Sequence, residues 1–239
     1  MFFSAPKCAA PVTRTEHIFG EPLNLFPKHT YVDPVDRGTT DPPGAQVKYQ
    51  QVSGAANSFF QINAVTGRME FGLSDNGTDQ VIWSLNQTVF PAYSGIHPYE
   101  SVKETKFTII FRPTQVVGGC AVGACINQNV AFDEYGRHAF FRVQNTNGGS
   151  LFAVAGSDQN VEVEEELMQG VMNQWLALEL VAKIGGRFTF KVRNIITGAT
   201  AEFEPNATYS AGQIMNLLFV AEGGGPQKYE FAWWKLDYD

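Results

Sequence analysis

The sequence predicts an all-β fold, an antiparallel two-sheet sandwich preceded by an extended N-terminal arm. From about residue 57 onward, apolar and polar residues alternate with a period of two, the pattern of half-buried strands. These short runs are separated by Gly- and Asn-rich turns, and many short strands so spaced build a sandwich or a barrel. No long helix-period segment interrupts them, and no internal repeat points to a propeller or solenoid.

Residues 1–50 read as the arm and residues 51–239 as the sandwich. Pro6, Pro11, Pro22, Pro27, Pro34, Pro42 and Pro43 crowd the first segment, together with the turn-rich stretch DPVDRGTTDPPG. Proline removes a ladder donor and pushes the residue before it toward extended conformations, so this segment is no central strand. Phe19, Leu23, Leu25, Phe26 and Tyr31 are too frequent for a solvated linker. The arm is therefore expected to pack on something, either the sandwich itself or a partner such as a sister subunit or another protein of the same assembly.

The strands follow in order. MEFGL places Met69, Phe71 and Leu73 on one face, and SDNGTD after it is a hairpin turn, because Asn-Gly readily takes positive φ. VIWSL aligns Val81, Trp83 and Leu85. KFTIIFRPTQ sets Phe107, Ile109 and Phe111 against Thr108, Ile110 and Arg112. HAFFRVQN turns through NTNGGS into LFAVAG, and QNVEVEEEL comes next. NQWLALELVAK turns Leu176, Leu178 and Leu180 inward, and RFTFKVRN does the same with Phe188, Phe190 and Val192. QIMNLLFVAEG and YEFAWWKLDYD close the chain; in the latter, adjacent Trp233 and Trp234 face opposite sides. About twelve strands are expected, with EEELMQGVM the one stretch able to form a helical turn.

Composition narrows the function classes. The 239 residues are 44% hydrophobic and 13% aromatic, enough to bury a core without a metal or disulfide staple. The net charge of −7, with no basic run interleaved with aromatics, argues against a nucleic-acid surface. No segment has the apolar length of a membrane-spanning helix. The start, MFFSAPKCAAPV, is a poor secretory signal, since Pro6 and Lys7 break its apolar run. Action outside a cell then implies another route, such as release on lysis as part of a virion. Of the three cysteines, Cys120 and Cys125 are near enough in sequence for a local disulfide, but free buried thiols are the favoured reading. The sequons at Asn76, Asn86 and Asn206 matter only in a eukaryotic secretory pathway.

The order of these strands resembles the concanavalin A-like lectin/glucanase superfamily, which includes laminin G-like domains. KFTIIFRPTQ is similar to its early F-T-hydrophobic strand, NQWLALELVAKIGGRFTFKVRNIITGA to its late Trp strand and hairpin, and YEFAWWKLDYD to its returning last strand. The resemblance implies a jelly-roll sandwich over roughly residues 57–239. It implies no single activity, because this sandwich hosts lectins, hydrolases, lyases and structural modules.

The sharpest catalytic candidate is Glu162, Glu164 and Glu166, which alternation puts on one strand face about 6.6–6.8 Å apart at the backbone. Retaining glycosidases need two carboxyl groups about 5–5.5 Å apart. Superfamily β-glucanases carry an E-x-D-x-E strand, and here Glu stands at the central position. The bland reading is a charged edge that blocks aggregation. Alginate lyases of this fold carry a Gln-Ile-His strand; here Gln61-Ile62-Asn63 lacks the His. The four histidines, His17, His29, His97 and His138, have no metal-ligand spacing. Asp133 with Glu134, or Asp75 with Asp79, falls short of three converging carboxylates, so no metal and no cofactor is expected. For glycan binding, the long loop at 86–104 offers Tyr93, His97 and Tyr99, and FDEYGRH offers Asp133, Tyr135 and Arg137.

The expectation is a non-enzymatic structural and adhesion module, a phage-particle component whose outward domain binds glycans. A glycoside hydrolase using Glu162, Glu164 and Glu166, or a free-standing lectin, is the alternative.

Overall fold

The structure is a computed structural model. It describes residues 49–53, 58–63, 65–66, 68–74, 81–85, 95–96, 104–125, 138–156, 162–183, 187–206, 215–222 and 225–238. Among them are fifteen strands: β1 (Tyr49–Ser53), β2 (Ser58–Ile62), β3 (Met69–Leu73), β4 (Val81–Leu85), β5 (Gly95–Ile96), β6 (Glu104–Gln115), β7 (Gly119–Cys125), β8 (His138–Gln144), β9 (Ser150–Gly156), β10 (Glu162–Gln169), β11 (Leu176–Lys183), β12 (Arg187–Asn194), β13 (Thr200–Phe203), β14 (Met215–Glu222) and β15 (Gln227–Tyr238). They pair antiparallel in two sheets. One has eight strands, in the order β1-β4-β14-β7-β8-β9-β10 with β5 beside β14; the other has seven, in the order β13-β12-β11-β6-β15-β3-β2.

The predicted alternation builds the core between them. Phe107, Ile109 and Phe111 of β6, Leu176, Leu178 and Leu180 of β11, and Phe188, Phe190 and Val192 of β12 point inward from the seven-stranded sheet. Cys120, Phe141, Leu151 and Phe219 meet them from the other. Aromatic pairs bridge the gap: Phe141 meets Phe190 edge-on at 5.3 Å, and Phe219 stacks on Phe231 at 5.3 Å. Each fully buried Phe contributes about 1.5–3 kcal/mol over its exposed state. Trp234 belongs to the core.

Two expectations are corrected. EEELMQGVM forms no helical turn: Glu162–Gln169 is a strand paired with β9, and Gly170 at φ 66° turns the chain after it. The strands number fifteen rather than about twelve; two of the additional ones, β5 and β13, are only two and four residues long, too short for a period to register.

Two hairpins are closed by the same device. In the sequences NAVTG and NIITG, Asn63 Oδ1 accepts from the N–H groups of Val65 and Thr66 at 2.9 and 3.0 Å, and Asn194 Oδ1 from those of Ile196 and Thr197 at the same distances. The hydroxyls of Thr66 and Thr197 accept from the N–H of Arg68 and Ala199, each at 3.3 Å. A short Asn side chain can mimic a backbone turn in this way. Asn63, which stands where the lyase pattern has His, is thus a turn residue, and its amide also donates to Glu70 at 2.6 Å.

Candidate functional site: the outer face of the eight-stranded sheet

The inward residues of β8, β9 and β10 fix which side chains face out. Since Ala139, Phe141 and Val143 are core, His138, Phe140, Arg142 and Gln144 take the outer face of β8. The pairing carries this across to β9 and β10 in cross-strand rows. One row is His138, Gly156 and Glu162; the next is Phe140, Val154 and Glu164; the third is Arg142, Phe152 and Glu166. The three glutamates picked out by alternation do share one face.

Gly156 makes the first row work. With no side chain on β9, His138 Nε2 reaches Glu162 Oε2 at 3.3 Å across the intervening strand. The hydrogen bond from His138 is the largest cause holding the Glu162 carboxyl below its ordinary value; partial burial opposes it, and the charges of His138 and Arg142 assist. Arg142 lies 3.8 Å from Glu164. Glu166 accepts from Gln169 at 2.9 Å and is also lowered, first by a hydrogen bond with Ser150. Carboxylates so held are ionised acceptors.

Exposure divides the face. Phe140, Val154, Ala121 and Val220 are buried, and His138 stacks on Phe140 at 5.3 Å. Toward the β10 edge the face opens: the Glu162 side chain is 50% exposed, and Phe152 and Arg142 are partly exposed. The open strip thus holds one aromatic surface flanked by a guanidinium and three carboxylates. A register shift between Glu166 and Met168 bends the edge strand.

The outer face of the seven-stranded sheet carries a different array. Arg112, Glu230 and Glu70 stand side by side on β6, β15 and β3. Arg112 pairs with Glu230, and Lys228 pairs with Glu70 while lying 3.8 Å from Glu230. Both carboxylates are only 4% exposed. Farther along, Lys191 meets buried Glu179 at 3.5 Å.

Sequence reasoning missed His138, Arg142 and Phe152. The signal available was the alternation of HAFFRVQ, which already sets His138 and Arg142 on one face. The other expected glycan residues, Tyr93, His97, Tyr99, Asp133, Tyr135 and Arg137, lie outside the described residues, as do Phe19, Leu23, Leu25, Phe26 and Tyr31 of the arm. The acidic pairs Asp133–Glu134 and Asp75–Asp79 do so too.

No protein-family profile matches the sequence, and no curated protein matches it. Solved structures do. A legume lectin-like domain from Entamoeba histolytica aligns with a TM-score of 0.54 at 8% identity, over 79% of this chain and 89% of that one. The alginate lyase AlgAT5 of polysaccharide lyase family 7 aligns at 0.47 and 13% identity, over 76% and 82%. The alginate lyase PA1167 from Pseudomonas aeruginosa aligns at 0.46 and 14%, over 76% and 86%. The chain has the concanavalin A-like jelly-roll sandwich that its strand order resembles.

The expectation of a non-enzymatic chain is corrected by the same finding. Alginate lyases stand beside a lectin-like domain among the solved structures that align with this chain. At such identities the likeness transfers no residue roles.

Proposed function

We propose that the domain binds a neutral, hydroxyl-rich carbohydrate along the β9–β10 edge of the eight-stranded sheet. Phe152 is the stacking surface, and Arg142, Glu162, Glu164 and Glu166 form the hydrogen-bonding rim. The observation that carries this reading is the row in which partly exposed Phe152 lies between Arg142 and Glu166. Sugar rings offer an apolar C–H face and equatorial hydroxyls, and binding sites pair an apolar surface with a few fixed polar groups. Carboxylates accept two hydroxyl donors each and guanidinium donates in a planar fork. Three carboxylates against one guanidinium make the strip net negative, which disfavours uronates and sulfated chains.

A second reading, a glycoside hydrolase using Glu162, Glu164 and Glu166, rests on the three carboxylates sharing the outer face of β10. The setting we infer is the surface of a virus particle, with residues 1–50 as the assembly element. Light scattering on the full chain tests that setting: a stable multimer is expected, and a monomer contradicts it.

The site is tested on an array of neutral, uronate and sulfated glycans, followed by chromatography of the best binder after prolonged incubation. Saturable binding of a neutral glycan, recovered intact, is the expected result. Cleavage that disappears in Glu162→Gln moves the site to the hydrolase reading. Binding confined to anionic glycans removes the proposal.

A further inference from the structure

Independently of the sugar-binding strip, the outer face of the seven-stranded sheet holds an unbalanced cation. Trp175, just before β11, lies beside Arg112, and its ring is buried at 3% exposure. The guanidinium carbon of Arg68 stands 4.4 Å from the Trp175 ring centroid, and that of Arg112 stands 4.8 Å away. Two like charges thus meet one ring. The cluster contains three cations, Arg68, Arg112 and Lys228, and two buried carboxylates, Glu70 and Glu230. Lys228 serves Glu70 and Arg112 serves Glu230, so both carboxylates are matched. Among the described residues Arg68 forms no ion pair with a carboxylate, although the charge of Glu230 reaches it, and the buried Nε–H of Arg112 has no acceptor. The hairpin fixes Arg68 in place: its N–H is held by Thr66 at 3.3 Å and its carbonyl by the N–H of Asn63 at 2.7 Å.

We propose that Arg68 and Arg112 form an oxyanion-binding site, with Arg68 supplying the fork and Arg112 the supporting charge, for one carboxylate, sulfate or phosphate group. Guanidinium suits this ligand because its paired N–H donors match two oxygens of one oxyanion. Trp175 holds both arginines through its ring face, a cation–π contact that leaves the in-plane donors of Arg68 available while Arg112 is committed to Glu230. Burial first, and then the charge of Arg112, lowers the pKa of Arg68 while the charge of Glu230 raises it, and a bound anion acts in the same direction as Glu230. Surface lysines scattered on a sheet lack this arrangement, since their ammonium groups are strongly hydrated and fix no orientation. The ligand is either a free anion or an acidic group on a sugar, and both present the same oxygens.

The experiment follows the intrinsic tryptophan fluorescence of the full chain as sodium sulfate, phosphate or acetate replaces chloride at constant ionic strength, which holds screening fixed. Glucose 6-sulfate and glucuronate form the sugar-borne arms. At least one oxyanion is expected to give a saturable change that chloride does not. Arg68→Gln weakens it at least tenfold, and Arg68→Lys, which keeps the charge without the fork, gives an intermediate affinity. Arg68 is partly exposed at a hairpin, and an unchanged circular dichroism spectrum confirms that both variants fold. Tighter binding of the sugar-borne group assigns the site to an acidic glycan, and equal affinity assigns it to a free anion. A response linear and alike in every salt, or an affinity unchanged in folded Arg68→Gln, overturns the proposal. Neutral-glycan binding is unaffected by Arg68→Gln, so failure here is separable from failure at the β9–β10 strip.

Discussion

On the seven-stranded sheet, Glu70 and Glu230 are 4% exposed and each meets a cation; on the eight-stranded sheet, the Glu162 side chain is 50% exposed and meets a histidine across a bare glycine. The residue types are alike and the two rows do different work. A buried carboxylate without a partner is costly, so the Glu70–Lys228 and Glu230–Arg112 pairs are conditions of folding. The Glu162, Glu164 and Glu166 row lies where water already solvates it, and exposed ion pairs contribute little. Charges that folding does not require are free to serve a ligand. The seven-stranded sheet departs from balance at Arg68, and there too the surplus group is the one assigned a ligand.

Breaking the buried row has the largest expected effect. Arg112→Met leaves Glu230 with Lys228 at 3.8 Å and the more distant charge of Arg68, and lowers unfolding free energy by about 3 kcal/mol. Denaturant titration checks this, and a loss under about 1 kcal/mol would make the two rows equivalent. Phe152→Ala is expected to weaken neutral-glycan binding about tenfold, or about 1.4 kcal/mol, read by calorimetry. Glu162→Gln changes stability by no more than about 1 kcal/mol at neutral pH.

The smallest effect sharpens the contrast through pH. Glu162 titrates below its ordinary value of 4.5, chiefly through the His138 hydrogen bond. A carboxyl lowered in the folded state stabilises fully above its unfolded value, and that contribution fades as pH falls through the folded value. The stability difference between the native chain and Glu162→Gln should therefore shrink on acidification from neutrality to about pH 3. A difference that grows would contradict the pairing. Gly156→Val, which places a side chain between His138 and Glu162, should return the Glu162 carboxyl toward 4.5 in an NMR titration.

The fold was legible because the core obeys a period of two: Phe107, Ile109 and Phe111, like Phe188, Phe190 and Val192, all point inward. Alternation did not show where the outward face is buried as well. Thr108 and Ile110 are 0% exposed, so β6 reads as a continuous apolar run as readily as an alternating one. At β10 alternation gave the strand and its glutamate face but left a helical turn open over EEELMQGVM, which pairing with β9 excludes. For the site, alternation put Glu162, Glu164 and Glu166 on one face. It did not bring them to His138, Arg142 and Phe152, because that meeting depends on the register of three strands and on Gly156 at the crossing. The twin hairpins held a readable signal, N-x-[VI]-T-G, whose Asn side chain closes both turns.

The central claim is that the open strip at Phe152 holds sugar. Calorimetric titration of the full chain and of Phe152→Ala, with the neutral glycan that the array selects, tests it most directly. The account predicts saturable binding by the native chain and an affinity about tenfold weaker in the variant. Equal affinity in the two proteins would place the sugar elsewhere and contradict the account.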